Sequence, residues 1–272
     1  MKYVYLNNGL KMPMLGLGVY RCSEEDTFNT VKSAIDNGYR LIDTASAYEN
    51  EEFVGEAIKY CGVNREDLFI TTKLKNDDQR ADNQRKAFED SLKRLNLDYI
   101  DLYLIHWPVK EKFEQSWIEL SKIYEEGLVR AVGVSNFKEH HLDKLKEISD
   151  LTPAVNQVEI HPKLTQKQLL EDCKKRKIQI EAWSPLGALK NNILENEVLL
   201  KIAEKYNKTP AQIILRWDIE CGIVTIPKSS NAQRQKQNIN IFDFSLTIED
   251  IRAIDNINEN ERTGSDPDNF TF

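Results

Sequence analysis

Residues 15–20 read Leu-Gly-Leu-Gly-Val-Tyr, a short apolar run that has two glycines but no third and opens no helix directly after it. An open, doubly wound parallel sheet carries G-x-G-x-x-G at its first strand-to-helix turn. That fingerprint is absent, and the rest of the chain points to a different way of closing a parallel sheet. Apolar β-like runs alternate with helical patterns almost to the end of the chain: LGLG at 15, RLID at 40, FITTKL at 69, IDLYLIH at 100, VRAVGVS at 129, AVNQVE at 154, QIEAWS at 179 and IVTIP at 223. Eight strands with crossover helices over 272 residues predict an α/β protein of the (β/α)8, or TIM barrel, type, a single domain over 1–272.

Upstream of the decisive run, YVYL-NNG-LKMP sets two extended segments around an Asn-Gly turn, which predicts an N-terminal β-hairpin. Between the strands, apolar residues return every three or four positions, as at Phe28/Val31/Ile35, Phe88/Leu92/Leu95 and Trp117/Leu120/Tyr124. Gly38, Gly127 and Gly222 stand where glycine stops a helix, and Thr209-Pro210-Ala211-Gln212 combines a capping box with proline at the first helical position. The tail from Glu259 to Phe272 is poor in apolar residues and is expected to pack as a loop over the barrel.

The net charge of -7 excludes nucleic acid and anionic membranes as general partners, since both need a concentrated basic face. No apolar run approaches the roughly 20 residues that span a bilayer, and the N-terminal MKYVYLNNG has no signal-peptide pattern, so a cytoplasmic location is expected. Cys22, Cys61, Cys173 and Cys221 are scattered, without a C-x-x-C pair or a histidine at ligand spacing, which predicts free thiols and no metal.

A barrel places its active site at the carboxyl ends of its strands. Those ends carry Asp43, leading into Tyr48, then Lys73, His106, Ser135-Asn136, Gln157, Trp183 and Pro227-Lys228-Ser229. Singly, Asp43 could cap a helix, Lys73 could be a solvated loop charge and His106 a structural histidine. Jointly, an acid, a phenol, an amine and an imidazole would project into one small mouth, where they must interact. A buried lysine needs a carboxylate, and Asp43 supplies it. The expectation is that this cation lowers the Tyr48 phenol below its reference value of about 10 and makes it a proton donor and acceptor near neutrality.

These residues sit in a wider pattern. LGLGVY at 15, Asp43-Thr-Ala-x-x-Tyr48, TTKL at 71, LYLIHWPV at 102, VGVSNF at 132, NQVEIHP at 156, AWSPLG at 182, and IPKS with Arg234 and Asn238 resemble the aldo-keto reductases over nearly the whole chain. The resemblance implies reduction of aldehydes and ketones with NADPH, a catalytic tetrad of Asp43, Tyr48, Lys73 and His106, and no metal. It implies that Trp183 stacks on the nicotinamide while Ser135, Asn136 and Gln157 bind its carboxamide. Ser184, Leu186 and Gly187 would follow the pyrophosphate; Lys228, Ser229 and Arg234 would take the 2′-phosphate, and Asn238 the adenine.

Three departures from the family pattern stand out: Trp183 where tyrosine is frequent, Gln237 where glutamate is, and Ala188 in place of a serine near the pyrophosphate. A short loop after the fourth strand and a short tail resemble the compact bacterial-type reductases of the methylglyoxal and 2,5-diketogluconate reductase kind. That likeness implies small carbonyl substrates, an open pocket lined by Tyr20, Trp107 and Phe270, and a monomer. His140-His141 reads as a solvated pair, His161 as a loop-shaping residue and 174–177 as a charged helix end. Two other readings stay open: a cofactor-binding sensor with little turnover, and a Schiff-base aldolase built on Lys73.

Overall fold

The computed structural model describes residues 1–190 and 192–272. Strands β1 (Tyr3–Tyr5) and β2 (Lys11–Pro13) pair antiparallel around Gly9, whose φ of +83° makes the turn that a side chain would resist. Eight parallel strands come next, in sequence order: β3 (Leu17–Gly18), β4 (Leu41–Asp43), β5 (Phe69–Leu74), β6 (Leu102–Ile105), β7 (Val132–Ser135), β8 (Val155–Glu159), β9 (Gln179–Trp183) and β10 (Val224–Thr225). The sheet closes on itself. Leu15 pairs in parallel with Thr225, the Gly16 amide donates to the Thr225 carbonyl and the Thr225 amide donates to the Met14 carbonyl, both at 2.9 Å.

The crossovers are helices. The expected patterns fall on α1 (Glu24–Asp36), α4 (Gln84–Leu95) and α5 (Phe113–Glu125), each turning its apolar stripe inward. The others are α2 (Glu51–Tyr60), α3 (Asn76–Arg80), α6 (Glu139–Ile148), α7 (Lys167–Lys175), α8 (Glu197–Tyr206), α9 (Pro210–Glu220), α10 (Ala232–Ile239) and α11 (Ile248–Asp255). Gly38, Gly127 and Gly222 come after the last turns of α1, α5 and α9 with left-handed φ values of +98°, +75° and +75°, and Thr209 with Gln212 forms the capping box of α9.

Two apolar layers result. One lies between the strands and the helices; the other fills the barrel itself with Leu41, Phe69, Leu102, Leu104, Ala131, Val155 and Val224, and Leu6 and Met12 of the hairpin plug its floor. The β period of two turns these inward residues into a ruler. Two residues beyond Leu41 is Asp43; four beyond Phe69 is Lys73, two beyond Leu104 is His106, and two and four beyond Val155 are Gln157 and Glu159. Glycines 16 and 18 take the same parity because there is no room for more. A Cβ at Gly16 would stand 2.4 Å from Leu41 Cγ, and one at Gly18 3.0 Å from the Ile226 carbonyl. Among the described residues, no helix is long and apolar enough to cross a membrane.

Candidate active site

At the mouth, Lys73 is fully withdrawn from solvent and donates to Asp43 Oδ1 at 2.6 Å, to the Thr44 carbonyl at 2.8 Å and to the Tyr48 hydroxyl at 3.4 Å. Burial by itself would lower its pKa, but the Asp43 carboxylate, together with Tyr48 and Glu181, outweighs that and holds the ammonium above its usual range. Tyr48 comes from the segment after β4, on a single 3-10 turn (Ser46–Tyr48). The Ser46 hydroxyl donates to the Lys73 carbonyl at 2.8 Å and Thr44 to Asn50 Oδ1 at 2.7 Å, so the loop is pinned on both sides of the phenol. The Tyr48 ring meets His106 edge-on, with centroids 5.6 Å apart, and Tyr20 at 5.0 Å.

This burial sets two protonation states. Burial and then Lys73 push the His106 imidazole well below its usual value, so the ring is neutral at pH 7. The Tyr48 phenol departs from expectation: burial pushes it up to about 12, and the nearby cation only partly opposes the rise. Proximity to a positive charge was legible in the sequence, whereas the depth of the pocket that outweighs it was not.

On the opposite wall, Ser135 Oγ donates to the Gln157 carbonyl at 2.8 Å and Asn136 Nδ2 donates to the His106 carbonyl at 3.0 Å. Trp183 Nε1 donates to Asn136 Oδ1 at 2.8 Å, which fixes the indole across the mouth. Asn136 and Ser184 hold left-handed φ values of +67° and +48°, conformations that non-glycine residues adopt where surroundings enforce them. Leu186 is half-buried, Gly187 buried with its amide bonded to the Ser184 carbonyl, and Ala188 exposed with a φ of +51°.

Further round, after β10, Lys228 and Arg234 are exposed and enter no ion pair among the described residues, while Ser229 and Asn238 are buried beside them. Two free cations, with the Ser229 hydroxyl just before α10 and the Asn238 amide in its last turn, suit a phosphate-bearing ligand. Gln237 is exposed.

Trp107 is buried against Phe270 and Phe272, with centroids 5.1 and 5.2 Å away, so the tail lies over the mouth as expected. Glu159 anchors it. This buried carboxylate accepts from the Thr263 amide at 2.7 Å, from the Thr263 hydroxyl and from His161 Nε2 at 3.2 Å. His161 is thus a buried latch residue and more than a shaper of its own loop. The His140-His141 reading also needs correction: His140 is exposed, but His141 is buried against Phe113 and Phe137, and its Nδ1 accepts from the Lys138 amide at 3.1 Å to cap α6. Aromatic rings from α5 and the loop after β7 cover it, which the helix pattern of α6 alone does not disclose.

One buried group at the mouth escaped sequence reasoning altogether. Glu181 on β9 points inward two residues before Trp183 and accepts from Gln157 Nε2 at 2.8 Å. Its parity with Trp183 was the available signal.

Residues 12–259 match the model of the family described as "Aldo/keto reductase family". The chain is 53% identical over 270 residues to the glyoxal reductase of Bacillus subtilis (strain 168), covering 99% of this chain and 97% of that one. Among solved structures, it superposes with a TM-score of 0.96 on an aldo-keto reductase from a Medee basin deep-sea metagenome library, at 46% identity, covering 99% of this chain and 100% of that one. An aldo-keto reductase of Bombyx mori in complex with NADP superposes with a TM-score of 0.93 at 38% identity, covering 98% of this chain and 96% of that one. A closed barrel with this polar mouth, matched to relatives over almost its entire length, belongs to the aldo/keto reductase family.

Proposed function

We propose that this protein reduces small aldehydes and ketones, glyoxal-type dicarbonyls among them, with Tyr48 as the group that protonates the carbonyl oxygen. The observation that carries the reading is the Tyr48 hydroxyl standing 3.4 Å from Lys73 Nζ beside a neutral His106. NADPH, when bound, supplies the hydride. Lys228, Ser229 and Arg234 would hold its 2′-phosphate, Asn238 its adenine, Ser184, Leu186 and Gly187 its pyrophosphate, and Trp183, Ser135, Asn136 and Gln157 its nicotinamide.

Each protonation state suits the reducing direction. A phenol at about 12 carries its proton throughout the physiological range, so it is loaded as a donor. As the proton leaves, the Lys73 ammonium stabilises the developing tyrosinate, and Asp43 keeps that ammonium charged and in place. His106 Nε2 or Nδ1, neutral, can donate a hydrogen bond to the carbonyl without adding a second charge. The same facts speak against a Schiff base on Lys73, because an amine must lose its proton to attack a carbonyl and Asp43 holds this one on.

The glyoxal reductase likeness supports substrates of a few carbon atoms, which would meet the rings of Tyr20, Trp107 and Phe270 at the mouth. Consumption of NADPH absorbance with glyoxal, methylglyoxal, aromatic aldehydes and keto-sugars tests the proposal. Rapid turnover of the dicarbonyls is expected. Cofactor binding with no carbonyl-dependent oxidation would reject the enzyme reading in favour of a sensor.

A further inference from the structure

Gln157 presents one amide nitrogen to two carboxylates. Its Nε2 donates to Asp43 Oδ2 at 2.7 Å and to Glu181 Oε2 at 2.8 Å, so both of its protons are used. An amide whose oxygen and nitrogen look alike in outline is thereby oriented without ambiguity, because a carbonyl oxygen could not face the Asp43 carboxylate. The Gln157 side-chain oxygen is turned away from both of them and accepts from no group among the described residues.

Glu181 itself is an expensive residue to keep there. It is fully buried, Asp43 already consumes the Lys73 ammonium, and a second carboxylate would be uncompensated. Burial first, and then the charge of Asp43, push its pKa up to about 8, so it stays protonated at neutral pH. Its Oε1, which has no partner among the described residues, is left to carry the proton. Asp43 and Lys73 are the charged groups facing it, with Gln157 between. Nothing in the core packing requires an acid at this position; an apolar residue would fill the space at lower cost.

We propose that Glu181 is a positioning residue for cofactor binding: with Asp43 it clamps the Gln157 amide so that the free Gln157 carbonyl is presented to the nicotinamide carboxamide. Asp43 then has two duties, holding the Lys73 ammonium with Oδ1 and one half of the clamp with Oδ2. This inference rests on the reading of Gln157 as a nicotinamide contact.

The test is the Kd for NADPH, read from protein fluorescence quenching in the full chain. Loss of one anchoring hydrogen bond should weaken binding about three- to tenfold in Glu181→Met. Glu181→Gln, whose side-chain carbonyl can still accept from Gln157, should restore binding to within about twofold of the wild type by the same reckoning. A clamp also predicts non-additivity: in a Gln157→Leu background, Glu181→Met should weaken binding no further, whereas a residue that only supports packing would add its loss independently. Should Glu181→Met fail to fold, Glu181→Ala carries the same comparisons. Wild-type affinity in Glu181→Met, or additive losses in the double variant, would overturn the clamp while leaving Gln157 as a contact. Wild-type affinity in Gln157→Leu alone would overturn both.

Discussion

Lys73 Nζ lies 2.6 Å from Asp43 Oδ1, and neither side chain has water to turn to. A buried pair of this kind need not stabilise the fold, but breaking it from one side leaves an uncompensated charge. Lys73→Met should therefore destabilise the protein by about 3–5 kcal/mol. Adding Asp43→Asn should recover most of that loss, because the remaining amide no longer carries a charge, yet turnover should stay abolished in both. Urea denaturation of the two variants checks this. Equal instability of single and double variants would show that the stranded carboxylate is not the cause.

Tyr48→Phe keeps the ring that touches Tyr20 and His106 and removes only the hydroxyl. NADPH affinity should be unchanged, and kcat for glyoxal reduction should fall by about 10²–10⁴-fold, the usual worth of a general acid. A variant that keeps more than about a tenth of the wild-type kcat would remove Tyr48 from the proton-donor role.

His141 should make acid stability measurably pH-dependent. Burial, followed by the charge of His140, lowers its pKa to about 4, against an ordinary value of 6.5 in the unfolded chain. The unfolded state therefore takes up a proton first as pH falls. The contribution of the neutral ring is complete above about pH 6.5 and is lost progressively down to about pH 4, on the order of 1–3 kcal/mol. In His141→Asn, which retains an acceptor for the Lys138 amide, the pH slope of stability across that window should flatten. Identical slopes in the two proteins would refute the assignment.

What could be read in advance and what could not separates along one physical line. Their places at the carboxyl ends of apolar runs put Asp43, Lys73, His106, Gln157 and Trp183 at the mouth, and glycines 38, 127 and 222 marked helix ends, because both signals are local. Glu159 carried no sign of a site role, and Glu181 carried only its parity with Trp183. Glu159 owes its role to Thr263, 104 positions away, and Glu181 to Gln157, 24 away. The misjudged Tyr48 pKa has the same origin, since burial is a property of the assembled mouth and has no signature in the neighbouring letters.

Gly264 and Trp183 give a prediction specific to this chain, in which tryptophan stands where tyrosine is frequent in the family. A Cβ on Gly264 would come within 2.4 Å of Trp183 Cη2, and the Thr263 and Gly264 amides are tied to Glu159, so the backbone cannot easily retreat. Gly264→Ala should displace the indole and weaken its 2.8 Å bond to Asn136. Weaker NADPH binding, with reduced quenching of tryptophan fluorescence on saturation, is the expected outcome. Gly264→Ala with wild-type affinity and quenching would mean that the tail, not the indole, yields.

Cofactor choice should lie with Lys228 and Arg234. Both are exposed and neither is committed to a carboxylate among the described residues, while Ser229 is buried next to them and Asn231 Oδ1 accepts from the Arg234 amide at 2.9 Å to start α10. Only the 2′-phosphate distinguishes NADPH from NADH at such a site. Each charge-assisted hydrogen bond to it is worth roughly 1.5–3 kcal/mol before desolvation, so two of them give a preference of about 10²-fold or more. Lys228→Met and Arg234→Met should each weaken NADPH binding by about tenfold and leave NADH nearly untouched. Fluorescence titrations of both cofactors against the three proteins decide the matter, because a cation that only balances surface charge would change both affinities alike or neither. The salt dependence gives a second reading of the same site: NADPH affinity should fall as ionic strength rises, and that fall should be shallower in each variant, since the phosphate is the group whose attraction the added ions screen.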